Sequence, residues 1–408
     1  SNNRGAEYDQ YPSELINGVT VYKTPDASLM GQGLSGTVDL QTIKPLAYNE
    51  QVVSLNYRYD QNEVNGEKEN GGRYSFSYID QFMNDTLGVA IGYAHLDSPT
   101  QGNQWENGWG TAGGGEPGAT ALFSFDNGNK RDGLMATIEF KPTDFYSTTF
   151  DIYSSKFEKT ELKAGFETAL AFGATLAPGA QYNSAGNFVN GTYTNINPIM
   201  KDSSNPSTDK LFAMGWNHKF KISDNWSVAA DFSVSKVDRE FRYLELYAGL
   251  KNGPTSAQVT LNPKGYYDFQ FATDLGDPSN WRLYDQGNWS GIGGQSQDGY
   301  LKDFSVQDSL QAFRLDATRS FNEGFLSSVE FGLNVSNRVK EKSVYEARLC
   351  IDDCINGLGD VRDSAPFPAI GVSLPFNFAS IPNMAYFNAD ALFGSYNQIV
   401  KNADRNIR

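Results

Sequence analysis

The 408-residue chain carries 33 Lys and Arg against 48 Asp and Glu, a formal charge of −15, and no clustered basic segment of the kind that holds a phosphate backbone, which excludes a nucleic-acid partner. Its two cysteines, Cys350 and Cys354 in CIDDC, exclude a disulfide framework and a four-thiolate zinc site and read as one local disulfide of an oxidising compartment. Forty glycines, 13% aromatic residues and the lack of any apolar run near the ~18 residues of a membrane helix exclude transmembrane helices but not a membrane barrel, whose strands average lipid-facing and lumen-facing side chains.

The opening Ser1-Asn2-Asn3-Arg4 has no apolar signal-peptide core and reads as a mature start or an internal fragment. Residues 1–46 then read as a small mixed α/β unit: a short amphipathic helix at Ser13-Glu14-Leu15-Ile16, a strand from Val19 to Lys23, a turn at Pro25-Asp26-Ala27, a glycine-rich corner and a second strand from Thr37 to Ile43. Gly31, Gly33 and Gly36 satisfy the dinucleotide-binding spacing. That chemistry needs a helix starting at the glycines, and the next residues are the β-branched, strand-like TVDLQTI, so the glycines are expected to serve a tight corner.

From about Gln51 the signal is period two. Val53, Leu55, Tyr57 and Tyr59 alternate with Ser54, Asn56, Arg58 and Asp60; Tyr74, Phe76 and Tyr78 alternate with Arg73, Ser75 and Ser77. After a turn at Met83-Asn84-Asp85 the chain returns through Leu87, Val89, Ile91 and Tyr93, with Gly88, Ala90, Gly92 and Ala94 on the other face. Four small residues in a row suit a wall against which a folded segment lies closely. Leu134 to Phe140 and Tyr146 to Ile152 flank a turn at Lys141-Pro142-Thr143-Asp144; Phe212 to Phe220 and Trp226 to Val234 flank Ile222-Ser223-Asp224-Asn225; Phe313 to Ala317 and Val329 to Val335 flank Asn322-Glu323-Gly324. In the last hairpin Arg314, Asp316, Glu330 and Asn334 take the wet face.

All of these turns are short, whereas the segments of approximately 97–130, 158–210, 238–309 and 340–408 read as long loops. Aromatic residues flank the turns at Phe82, Phe140, Phe145, Phe220, Trp226, Phe321 and Phe325, as in an interface girdle. Tight turns at one end and long loops at the other is the outer-membrane barrel pattern; a soluble β-sandwich alternates too, but loops above ~15 residues are uncommon in compact domains. The expected fold is therefore an all-β transmembrane antiparallel barrel over 47–408, preceded by the plug-like unit 1–46. About nine strands are legible, which leaves the last without a partner. Single-chain bacterial barrels have even strand numbers, so the sequence reads as incomplete at its C-terminal end.

The segment YPSELINGVTVYKTPDASLMGQGLSGTVDLQT closely resembles the end of the plug domain of TonB-dependent outer-membrane receptors. The resemblance is carried by Pro12, Ile16, Val19, Val21, Tyr22, Lys23, Gly31, Gly33, Gly36, Thr37, Val38 and Asp39, and its wording is that of the proteobacterial branch often associated with carbohydrates. The resemblance implies a full-length barrel of about 22 strands in the bacterial outer membrane, importing a scarce nutrient with energy from the TonB–ExbB–ExbD complex. It also implies contact with outer-membrane lipid, and a surface lipoprotein is a further partner. The early plug and the coupling segment that meets TonB are absent from this sequence. An oligosaccharide is the first substrate expectation and a ferric siderophore the alternative; a plug-less diffusion porin and a soluble β-sandwich adhesin are the rivals from other classes.

No catalytic constellation is legible, and no cofactor or metal is expected. A nucleophilic triad needs a histidine beside Ser or Cys and a carboxylate, and the two histidines, His95 and His218, fall on the greasy parity and read as interfacial packing residues, which also disfavours haem capture. Asp352-Asp353 could hold calcium with carbonyl help, but no EF-hand spacing supports it. Binding is expected in the loops: Trp105, Glu106 and Trp109 in one segment, and Trp281, Arg282, Tyr284 and Trp289 in another, set indole and phenol faces beside amides and charges, as sugar faces and hydroxyl edges require. The alternative is that these aromatics pack loop against loop.

Overall fold

The computed structural model describes residues 11, 16–24, 29, 36–64, 66–112, 114–284, 298–351, 365, 366 and 371–402. Along the chain run β1 (Gly18–Tyr22), β2 (Thr37–Gln41), β3 (Val52–Val64), β4 (Glu67–Phe82), β5 (Leu87–Asp97), β6 (Thr100–Thr111), β7 (Pro117–Phe140), β8 (Tyr146–Ala169), β9 (Thr175–Leu176), β10 (Gln181–Tyr182), β11 (Phe188–Ile196) and β12 (Ile199–Ser204). They continue as β13 (Ser207–Ser223), β14 (Trp226–Leu250), β15 (Thr255–Leu261), β16 (Tyr267–Phe271), β17 (Trp281–Leu283), β18 (Gly299–Ser320), β19 (Ser328–Cys350), β20 (Ala365–Pro366), β21 (Val372–Phe378), β22 (Ile381–Tyr386), a single helix α1 (Ala389–Phe393), and β23 (Asn397–Asn402). No helix among the described residues is long and apolar enough to cross a membrane, which says nothing about strands.

One 14-stranded antiparallel sheet dominates. Nine long strands lie side by side in chain order, β3, β4, β5, β7, β8, β13, β14, β18 and β19, and the sheet is open, with β3 and β23 at its edges. Strand β12 carries the line of β13 upward past a break at Asn205-Pro206. Strand β6 does the same for β5 past Ser98-Pro99, with no change of register against β7. All four turns expected between the long strands are present; in the first, Met83, Asn84 and Asp85 all take left-handed φ values near 60°, and in the last Gly324 has φ 103°.

The segments read as loops are largely strand. Strands β7, β8, β14, β18 and β19 run deep into them, and the β7–β8 ladder is unbroken from Phe140↔Thr148 to Ala119↔Ala169. The sequence hides this because both faces turn polar there: Lys156, Glu158 and Thr160 on one side of β8 face Lys159 and Glu161 on the other, and a ladder with no apolar face gives no periodic signal. The ninth strand also has a partner, since β23 pairs with its upper end over Glu346–Cys350.

In the lower half, next to the short turns, the greasy parity is bare. Leu55, Tyr57, Ile91, Leu134, Trp216, Phe232, Leu315 and Phe331 are all exposed, and the register sets them shoulder to shoulder across nine strands: Leu55↔Phe76↔Tyr93↔Leu134, and Ile138↔Phe150↔Trp216↔Phe232↔Phe313↔Val335. This apolar belt runs obliquely to the strands. On β3 it spans Tyr59 to Val53 and on β19 Val335 to Val329, but the residue of β19 level with Tyr59 is Ser343 and the one level with Val53 is Asn337. Both edges thus descend by eight residues over eight strand-to-strand steps. With a rise of ~3.3 Å per residue and a spacing of ~4.8 Å between strands, that is a slope of about 35°.

In the upper half the same parity is covered. Leu122, Phe166, Met200, Leu246, Leu301 and Leu349 are buried beneath a five-stranded sheet made of β9, β10, β11, β15 and β16 and the β21–β22 hairpin. Val259, Phe269, Phe376 and Phe387 supply the covering side. Phe166 meets Phe269 and Phe271 edge-on at 6.3 and 5.6 Å, an arrangement aromatic quadrupoles favour.

The opposite face carries the N-terminal segment. Ile43 packs with Ile79, Ala90, Ala94 and Met135; the Leu46 amide donates to Glu139 Oε2 at 2.9 Å, Gln81 Nε2 to the Pro45 carbonyl at 2.7 Å and Thr42 Oγ1 to Asp151 Oδ1 at 3.2 Å. The row of small residues is what lets it lie so near: a Cβ on Gly88 would come within 2.9 Å of Leu46. Strands β1 and β2 pair from Gly18↔Gln41 to Tyr22↔Thr37. Gly36 sits at their junction with φ 127°, where a Cβ would be 2.8 Å from the Tyr22 carbonyl oxygen. A strand, not a helix, comes after this glycine, which removes the dinucleotide reading. Residues 13–15 of the expected helix Ser13–Ile16 and the turn at 25–27 lie outside the described residues, and Ile16 is not helical.

Candidate functional site

Above the level of the belt, the face opposite to it remains open, and long strands present a polar surface there. Glu161, Lys163 and Glu167 project from β8, Lys201 and Ser203 from β12 with Asn205 just beyond its end, and Tyr243 and Glu245 from β14; with Glu106 and Phe123 they line a cavity of about 210 Å³. Alternation fixes this: every second residue of each strand points the same way, and the ladders Ser203↔Lys163 and Ser203↔Glu245 bring the three strands into step. Glu161 and Glu167 are six residues apart on one strand, so the groove is ~20 Å long.

Its charges are partly paired. Lys201 Nζ lies 2.5 Å from Glu167 Oε2 and 3.9 Å from Glu245 Oε1, and 5.6 Å over the Tyr247 ring. Lys163 Nζ stands 5.2 Å over the Phe123 ring. Asn205, 5% exposed, donates from Nδ2 to Glu161 Oε1 at 3.1 Å, and no donor reaches its Oδ1. Tyr243 donates to Glu245 Oε2 at 2.7 Å and meets Tyr300 edge-on at 5.8 Å; Tyr300 donates to Glu346 Oε1 at 2.6 Å. Burial and then the Glu245 charge hold the Tyr243 phenol above its ordinary range, and burial and the hydrogen bond to Glu346 do the same for Tyr300, so both are neutral donors at physiological pH. Lower on this face, Arg314 lies 3.7 Å from Glu330, Arg338 2.9 Å from Asp308, and Asn217 donates to Asp231 at 3.3 Å.

The loop residues singled out in the sequence divide between the two faces. Trp281 is 1% exposed and donates its indole N–H to the Leu275 carbonyl at 3.1 Å; Trp105 packs against the same core, 6.3 Å from the Tyr267 ring. Tyr284 donates to the Leu250 carbonyl at 2.9 Å, and Arg282 is half-buried on β17 opposite Gly249. These are loop-packing positions: the indole of Trp281 has no free face to offer a ligand. Trp109 is a strand residue of β6, and Trp289 lies outside the described residues. Of the candidate residues whose side chains are described, Glu106, one residue from Trp105 and therefore on the other face, lines the groove. Glu161, Lys163, Glu167, Lys201, Tyr243 and Glu245 were missed because they lie in segments read as loops; extending the alternation through the polar strands would have found them.

Both histidines sit on the belt face, as their parity implied. His95 stacks on Tyr74 at 4.9 Å with Nδ1 2.8 Å from Asp132, and His218 lies 2.8 Å from the Tyr146 hydroxyl. Cys350, at the end of β19, is disulfide-bonded; Cys354, the other cysteine of the sequence, lies outside the described residues, as do Asp352 and Asp353.

Asp202, Asp209 and Asp298 are buried carboxyl groups among the described residues, and Asp202 is the one beside the amide of Phe387. Asp202 is fully buried, and burial pushes its pKa well above the ordinary carboxyl range, the Phe387 and Gly165 amides offsetting this only in part. A carboxyl whose folded-state pKa is raised binds a proton that the unfolded chain releases near ~3.9, so stability falls as pH rises from there through the folded value. Asp202→Asn is expected to abolish that decline. In thermal unfolding between pH 4 and 8 the wild type loses Tm with rising pH more steeply than the variant, and parallel profiles would remove the assignment.

No known family model matches the chain, and no curated protein matches it.

Proposed function

We propose that the chain is the plug end and first part of the barrel of a TonB-dependent outer-membrane transporter that takes up an oligosaccharide. The observation that carries the membrane reading is the oblique belt. Its slope of about 35° is the strand tilt of outer-membrane barrels, and the nine residues from Phe212 to Phe220 measure about 22 Å across it, near the ~25 Å apolar band such barrels present. In water, a continuous apolar band over nine strands would be an aggregation hazard. In lipid it is the required surface, and the antiparallel ladders satisfy the backbone internally.

The transport reading adds the plug-like residues 12–39 and the segment 42–48 seated on the inner wall. Substrate sits on the inner face of the upper strands, where carboxylates, amides and phenols converge, and energised movement of the N-terminal unit opens the path beneath it. Uptake of a radiolabelled oligosaccharide panel by cells expressing the full-length protein is the test. Saturable uptake that stops when the proton-motive force is collapsed or TonB is deleted supports the reading; uptake indifferent to both makes the protein a porin.

A further inference from the structure

We infer that the inner-face groove is a site for a hydroxyl-rich ligand bearing ammonium groups, an amino-sugar oligomer, and that it rejects anionic ligands. This rests on the transport reading only for the ligand's route, not for its binding. The groove holds four carboxylates, Glu106, Glu161, Glu167 and Glu245, against two ammonium groups, Lys163 and Lys201. Lys201 is already committed to Glu167 and Glu245. Glu106 is met by the Gln104 amide, and Glu161 accepts from Asn205 and pairs with Lys159 at 3.6 Å, so even with Lys159 counted the carboxylates outnumber the ammonium groups four to three.

Acceptors outnumber donors in the same place. Carboxylates only accept when ionised; the Asn205 carbonyl oxygen, also without a donor, is enclosed and not open to the groove. A ligand that supplies N–H and O–H donors completes the wall, whereas a carboxylated sugar or an anionic metal chelate meets net repulsion in a partly desolvated groove. Lined along ~20 Å by side chains from five strands, the groove suits a linear chain rather than a compact chelate.

The experiment is calorimetry on the full-length, detergent-purified protein with three probes: a glucosamine tetramer, its N-acetylated counterpart and a galacturonate tetramer, at pH 6 and two salt concentrations. The glucosamine tetramer is expected to bind at least tenfold more tightly than the N-acetylated one and to weaken with salt, and the galacturonate tetramer to show no saturable binding. Glu106→Gln and Glu161→Gln each lower glucosamine affinity about five- to tenfold without shifting Tm, and Lys163→Gln raises it by removing a competing cation. Equal or tighter binding of the N-acetylated or acidic tetramer, or Gln variants that bind as wild type, overturns the assignment. Energised uptake of neutral oligosaccharides with no glucosamine preference would sink this proposal and leave transport standing; glucosamine binding without TonB-dependent uptake would do the reverse.

Discussion

Phe232→Arg is expected to destabilise the membrane-inserted full-length protein by about 2–4 kcal/mol, whereas Ser233→Arg, one residue along the same strand, changes stability by less than ~1 kcal/mol. Phe232 lies in the middle of the belt on β14, flanked by Trp216 and Phe313, and is exposed. If that exposure is to lipid, a guanidinium there must be dragged into hydrocarbon or snorkel through several residues of belt. Ser233 faces the other way, beside the ionic groups of the inner wall, and an added cation meets Asp231 and its neighbours in a wet environment. Urea unfolding from phosphatidylcholine vesicles measures both. Two small, equal effects would mean that the belt face does not contact lipid and would restore the soluble adhesin as the leading alternative.

The contrast between those two adjacent residues was legible in the sequence because it is a matter of parity. The strands of the belt, from Val53–Tyr59 to Val329–Val335, are legible in place with their turns, whereas β15 and β16, whose Ala257, Val259, Tyr267 and Phe269 also alternate, fall in a segment read as loop. What failed was the inference that a lost pattern means a lost strand. Residues 156–163 continue β8 with charges on both faces, since they lie above the apolar belt. Residues 244–250 regain an apolar face, but on β14 it covers a loop core that only long-range packing creates. Gly88, Ala90, Gly92 and Ala94 show the reverse case, where a local peculiarity announced a long-range contact before its partner, Leu46, could be placed. The tilt of the belt was not legible at all from single strands: it needs the register across all nine of them, and register is set by pairing.

The tryptophans show where residue chemistry alone misleads. Trp281, with Arg282 and Tyr284 nearby, has the composition of a sugar platform, yet its ring is enclosed among loop residues and its N–H is spent on the Leu275 carbonyl. Trp281→Ala is therefore expected to cost about 3–5 kcal/mol through the cavity it leaves, and Trp281→Phe roughly half of that, since most of the apolar volume returns while the Leu275 carbonyl loses its donor. The loss falls on the loop core, so protease sensitivity should rise first in the upper segments, 170–198 and 251–284, while the belt strands stay protected. A ligand platform behaves otherwise: its truncation lowers affinity and leaves stability nearly unchanged. Limited proteolysis with thermal unfolding, set beside oligosaccharide titration of Trp281→Phe, separates the two. If Trp281→Phe keeps its Tm and loses binding, the indole is a contact residue and the inner-face groove loses its claim; if it loses Tm and binds normally, recognition stays with the carboxylates and phenols of the opposite face.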